Sequence, residues 1–231
     1  VHNQDTAKIG NRPGWIQMEP YGWGMITNWG AHHMDIVQWG LGTEDRGPLE
    51  VSGTCGWMTK GLWNAHAEFD LLYKYDRGID VSVCNKYPNG VRFIGENGWI
   101  FVSRGAEKVT ASDPTMPGKE LKKLDASDPK LLSEPLGSNA VRLHKSDDHV
   151  KDWLVAIKGR TSAVTSAEIG HRSTSVCTLG HLCMKTGKTL KWDYKTETTD
   201  NAEANKLLAC PERDQFSIPK VLKAAGITVK V

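Results

Sequence analysis

An α+β fold with one main domain is predicted, and three observations predict it. Between about residues 48 and 112, short runs rich in β-branched and aromatic residues follow one another: "LEVSGTCGW", "AHAEFDLLYKY", "IDVSVCNKY", "GVRFIG", "GWIFVSRG" and "KVTAS". The turn signals "DRG", "PNG" and "ENG" separate them, with no helical stretch between. That pattern argues for an antiparallel or meandering sheet rather than βαβ units. Helical periodicity gathers outside this region, at residues 29–41 and again between about 147 and 186.

Residues 1–23 are rich in Gly, Pro and aromatics without a clear period, and read as an irregular arm ahead of a domain spanning 24–231. The first helix has Thr27 or Asn28 as N-cap and Gly42 as its stop. Its faces group His32, Asp35, Ile36 and Trp39, and beside them Met34, Val37 and Leu41. Residues 113–144 contain several prolines and little period, and read as a long surface connection. A second helix is expected from about 147 to 158. Ser146 would cap it, and Val150, Trp153, Leu154 and Ile157 form its apolar stripe. A third begins at a capping box of Thr165 and Glu168 and runs to about 186. Val176, Leu179 and Cys183 make its core stripe, and His171, Thr174, Thr178 and His181 a polar one. "LKWDY" reads as a closing strand and "NAEANKLLACPER" as a short surface helix.

Composition excludes several classes. Of 231 residues, 39% are hydrophobic and 24% charged, with a net charge of +2, as in ordinary globular proteins. "GKELKKLD" and "KTGKTLKWDYK" are too broken by acids and apolar residues to mark a nucleic-acid surface. No apolar run reaches the roughly 20 residues that span a bilayer. The first residues show no signal peptide and no initiator Met, so the gene product is expected to begin upstream of Val1. The compartment stays open, cytoplasmic or, with an export signal upstream, periplasmic. The 5 cysteines are odd in number and lack a CxxC pair, which argues against a disulfide scaffold and a structural zinc site. There is no GxGxxG, no Walker A loop, no GxSxG and no HExxH.

What remains is "GMITNWGAHHMDIVQWG". A histidine near a helix N-terminus sits by free N–H groups and the positive end of the dipole, which favours the neutral imidazole. His32 can then act as a general base, with Asp35 one turn later to fix its tautomer. A metal site joining His32 to His33, Asp35, His66, Asp70 or His149 is another reading. Neighbouring helix residues point about 100° apart, however, so His32 and His33 do not readily share an ion. The third reading is packing between two tryptophans.

The same stretch, with "GVRFIGENGWIFVSRG", "HVKDWLVAIKGRTSAVTSAEIGHRSTSVCTLGHL" and "LKWDY", resembles the glucose-fructose oxidoreductase/inositol dehydrogenase/rhizopine-catabolism (Gfo/Idh/MocA) family over residues 12–195. The family pattern, D-x-G-x-H-x-x-D before an apolar helix, falls on Asn28, Gly30, His32 and Asp35.

The resemblance implies an open, mostly antiparallel sheet with helices on one face, like the C-terminal domain of glyceraldehyde-3-phosphate dehydrogenase. It implies a substrate-binding and oligomerisation domain of an NAD(P)-dependent oxidoreductase acting on a sugar, a cyclitol or a derivative, with the sheet face pairing subunits into a homo-oligomer. His32 would be the acid/base. Asn28, Trp29, His33, Asp35, His171 and Arg172 would bind substrate. The family's N-terminal Rossmann domain and Glu-Lys-Pro lysine are not in this sequence. NAD or NADP is therefore expected in the full-length protein and not on this chain alone, which would be inactive by itself. Asn28 stands where the family has Asp, and an amide cannot take a proton. That departure keeps a non-catalytic carbohydrate-binding or scaffold module open, alongside a metal-assisted lyase or hydrolase built on His32, His66 and Asp70. Trp63, Asn85 and Lys86 are weaker binding candidates.

Overall fold

The computed structural model describes residues 14–59, 61–103, 122–209 and 212–227. Helix α1 spans Trp29–Leu41 and ends, as expected, at Gly42 in the left-handed conformation. Strands β1 (Glu50–Trp57), β2 (His66–Lys74) and β3 (Asp80–Cys84) form an antiparallel meander. Strands β4 (Val91–Gly95), β5 (Gly98–Val102) and β6 (Leu124–Ala126) form a second. After the short α2 (Lys130–Ser133) come α3 (His149–Gly159) and α4 (Ala167–Thr186). Strands β7 (Leu190–Asp193) and β8 (Thr198–Thr199) and helices α5 (Ala202–Leu207) and α6 (Ile218–Ala224) follow. The larger sheet has the order β3-β2-β1-β7-β8, and β4-β5-β6 is separate. All strand pairs among the described residues are antiparallel.

The core lies between the larger sheet and α1 and α4. Val51, Phe69, Leu71 and Tyr73 point to the helices and meet Met34, Val37, Val176, Leu179 and Leu182. The other face of the sheet shows Thr54, Asp70, Lys74, Asp80 and Ser82 to solvent. Alternation along β2 is broken once. The pairing shifts between Cys55 and Trp57, so that His66 and Phe69 both turn inward. Asn85 fills this bulge: its Oδ1 accepts from Phe69 N–H (3.3 Å) and its Nδ2 donates to the Ala67 carbonyl (3.0 Å).

Several local expectations change. Asp148, not Ser146, caps α3, its carboxylate accepting from Val150 and Lys151 N–H at 3.0 Å each. A charged acceptor two residues before the first free N–H groups displaces the hydroxyl upstream. Ser166, not Thr165, caps α4, and Glu168 pairs with Arg172 instead of closing a capping box. His181, expected on a polar stripe, is buried in the core. The apolar stripe of α3 is exposed: Trp153 keeps 56% of its surface, and Val150, Leu154 and Ile157 about as much. Residues 14–23, expected as an irregular arm, contain a 3-10 turn at Gly14–Gln17 with Ile16, Gln17 and Met18 buried. The Gln17 carbonyl there accepts from Asn64 and Ala65 N–H. The 113–144 connection holds β6 and α2, and the expected strand "KVTAS" lies outside the described residues.

Candidate functional site

Helices α1 and α4 pack together, and a cleft of about 460 Å³ is lined by residues from the first half of each and from the end of β5. From α1 it is lined by His32, His33 and Asp35, with Ala31 and Ile36 on either side of them in the sequence. The turn-then-helix sequence puts all of these on the first two turns. From α4 come Gly170, Ser173 and Thr174, a small-residue face at helical spacing, with Thr165 just before the helix. Val102 and Ser103 close the floor at the β5 end.

Ser173 Oγ donates to Asp35 Oδ1 at 2.7 Å. This bond ties the two helices across the cleft and fixes the carboxylate beside the histidines. Trp29 lies beneath both imidazoles, with ring centroids 5.2 Å from His32 and 5.4 Å from His33, and is itself buried. Its indole therefore supports the imidazoles from below and does not offer a stacking face to the cleft. Asn28 occupies the N-cap position without capping. Its Oδ1 is buried, with no hydrogen-bond partner among the described residues.

His171 and Arg172 turn away from the cleft. His171 Nε2 lies 2.7 Å from Glu197 Oε1. Arg172 pairs with Glu168 (2.7 Å) and Glu197 (3.0 Å) and donates to the Tyr194 carbonyl (2.7 Å). Together they bind the start of α4 to the β7–β8 turn. Lys86 is exposed near Glu68, and the Trp63 Nε1 is buried. His32, His66 and Asp70 do not converge: His32 lines the cleft, His66 is in the core and Asp70 is on the open sheet face. Among the described residues no group of three or more His, Cys, Asp or Glu could hold a metal ion.

In the core, outside the cleft lining, burial and then the charge of Asp35 push the Cys177 thiol up to about 12. Burial likewise raises Cys183 to about 11, so neither is a thiolate near neutral pH. Glu44 is raised by its burial and then by Asp35 and Asp45.

Ser173 and Ser103 are cleft residues that sequence patterns left unmarked, while Thr165 and Thr174 were read only as a capping residue and part of a polar stripe. The one local signal was the small-residue face at 170, 173 and 174.

The family model described as the oxidoreductase family, C-terminal alpha/beta domain, matches residues 14–218. No curated protein matches the chain. A solved structure, an NAD-binding protein from Listeria innocua, is similar at 13% identity with a TM-score of 0.45. The similarity covers 77% of this chain and 54% of that one, so the chain spans about half the length of that protein. No helix among the described residues is long and apolar enough to cross a membrane.

Proposed function

Because this chain belongs to the oxidoreductase family through its C-terminal α/β domain, we propose that its cleft is the substrate half of an NAD(P)-dependent oxidoreductase acting on a sugar, a cyclitol or a derivative. The observation that carries this reading is the cleft lining. Two imidazoles, one fixed carboxylate and several hydroxyls meet in one opening. Such a set hydrogen-bonds several hydroxyls at once and offers one of them a base. In this reading His32 accepts or returns the proton of the reacting hydroxyl. His33 and Asp35 orient neighbouring hydroxyls, and Ser173 holds Asp35 in place. His171 and Arg172 act only indirectly, by fixing the helix that carries Ser173 and Thr174.

The cofactor would supply hydride transfer to or from the same carbon. The residues present do not make a site for it: no glycine-rich strand-to-helix turn exists in the sequence to cradle a pyrophosphate. The nicotinamide therefore belongs to a separate domain in this reading. The exposed stripe of α3 supports a seat for that domain, since apolar side chains grouped on one helix mark an interaction surface. The chain runs from this stripe directly to Thr165 at the cleft. Trp153→Ser is expected to leave the chain's own stability within about 0.5 kcal/mol, as for other exposed positions. The same change should weaken assembly with a nicotinamide-binding domain at least tenfold. A clear loss of thermal stability in the isolated chain would instead make Trp153 a core residue.

Homo-oligomerisation through the open sheet face is part of the same reading. That face carries paired polar side chains such as Lys74 and Glu50, 2.9 Å apart. Sedimentation at micromolar concentration is expected to give a dimer or larger, and a monomer there would remove this element.

The test of function is titration of the chain with neutral monosaccharides and cyclitols, followed at the His32 and His33 imidazoles by NMR, with calorimetry against NADH and NADPH. Saturable shifts with a polyol and no heat from either nucleotide are expected. Micromolar nucleotide binding to this chain alone, or the absence of any polyol response, would overturn the division of labour. Asn28, an amide where the related motif has a proton acceptor, favours one second reading. In it the cleft binds a carbohydrate without turning it over.

A further inference from the structure

Away from the cleft, two histidines sit inside the core where the bulged β2 meets α4. His66 and His181 are both buried. His66 Nε2 accepts the Ile26 backbone N–H at 3.2 Å. An accepting Nε2 places the single proton of the neutral ring on Nδ1. His181 stacks on Trp23, with centroids 4.5 Å apart and planes 14° from parallel, and meets Trp57 edge-on. The Nδ1 atoms of both rings are buried, without hydrogen-bond partners among the described residues.

Both contacts fall on one short stretch, Trp23 to Ile26, which leads into α1. Gly24 lies against the His66 ring with φ of 75°. A Cβ there would sit 2.6 Å from His66 Cε1, so the turn is seated on the imidazole itself. Gly30 N–H then bonds back to the Met25 carbonyl, which joins this turn to the first turn of α1 and so to His32 and His33.

We propose that His66 and His181 form a proton-operated latch: as neutral rings they hold the 23–28 turn and the start of α1, and protonation of His66 releases them. A second proton on His66 turns its only acceptor atom into a donor facing the Ile26 N–H. Among the described residues, no carboxylate stands at His66 to take the new charge. Among the described residues, the charged groups that act on the pair are Glu19, from the 14–23 segment, and Lys185, on α4. Glu19 Oε1 lies 3.5 Å from His181 Nε2, not at His66, and is shared with Lys185 Nζ at 2.7 Å. Burial, and then His181, hold His66 down at about 4. His181 is lowered by burial and by Lys185, against the pull of Glu19. A histidine more acidic in the fold than in the unfolded chain contributes its stability in full above about 6.5 and loses it as the pH falls toward about 4. Release of the turn is local if the rest of the core keeps its packing. This inference does not depend on what the cleft binds.

The test is amide hydrogen exchange of the chain, corrected for intrinsic rates, with the His66 ring shift followed by NMR between pH 7 and pH 4. Protection of the Ile26, Trp29 and Gly30 amides is expected to fall roughly tenfold or more as His66 takes its proton. Amides of β1, β2 and the second half of α4 should hold their protection. His66→Gln keeps an acceptor for Ile26 but cannot titrate, and should abolish the acid-dependent loss. Should that variant not fold, the wild-type profile decides alone. Three outcomes would overturn the latch. These are unchanged protection at 26–30 while His66 titrates, an ordinary midpoint near 6.5 for His66, or simultaneous loss across the whole core.

Discussion

Gly180→Ala is expected to destabilise the chain by about 3 kcal/mol, the upper end of what overpacking a core costs. The sign is opposite to what helix propensity says, because alanine in place of glycine inside an exposed helix gains up to about 1 kcal/mol. The reason is the closeness of α4 to the sheet. A Cβ on Gly180 would overlap the Tyr73 hydroxyl and would lie 3.0 Å from Leu71 Cδ1. Tyr73 is fully buried on β2, hydrogen-bonded on both sides to β1 and β3, and cannot retreat. Its hydroxyl has no hydrogen-bond partner among the described residues and burial raises its pKa well above the usual phenol value, so it stays a neutral, wedged group. Tyr73→Phe removes the overlapping oxygen along with an unsatisfied polar group, and should by itself be neutral or stabilising. Urea denaturation of both single variants and the double variant measures the coupling. The expected result is that Tyr73→Phe recovers a large part of the Gly180→Ala loss. A Gly180→Ala cost below about 1 kcal/mol, or no rescue, would mean that α4 does not approach the sheet so closely.

How far this fold could be read in advance depends on whether its determinants are local. Helix α1 was legible because its apolar spacing and its stop at Gly42 lie within one stretch, and so were the meanders, whose turns are spelled out between them. The α3 stripe was legible as a stripe but not as an exposed one, because periodicity says that one face is apolar and not what covers it. His66 could not be placed. Strict alternation puts it on the face of Asp70, and only a bulge closed by Asn85, nearly twenty positions away, turns it inward. Within the cleft, His32, His33 and Asp35 were marked by their own helix. Ser173 was not, since its partner Asp35 is 138 residues away and no pattern joins them. The neighbouring His171 and Arg172 look more like binding groups than Ser173 does. In the structure both pair with Glu197 on the β7–β8 turn, a distant partner that no local pattern announces.

His32→Ala is the substitution expected to matter most for chemistry. With the nicotinamide-bearing domain and a polyol substrate present, kcat/KM should fall by about 10² to 10⁴, the usual contribution of a positioned acid or base. The fall should lie mainly in kcat, because a proton acceptor is needed in the transition state more than in the bound ground state. His33→Ala, removing a hydroxyl contact, should act more on KM. His32→Asn can still hydrogen-bond but cannot take up and return the transferred proton, and should be as slow as the alanine variant. The pH profile supplies the readout that a structural role would not move: the limb belonging to the His32 imidazole should vanish in both variants. A fall of only a few-fold in kcat would take His32 out of the chemistry and leave the carbohydrate-binding reading. Asn28 then decides where the proton goes. Its amide cannot receive one, whereas His32 is exposed at the cleft mouth and can exchange with water directly. If water is the acceptor, Asn28→Asp leaves kcat unchanged and costs stability instead, since its oxygen is buried without a partner among the described residues. If kcat rises, the native chain runs with its relay cut short at residue 28.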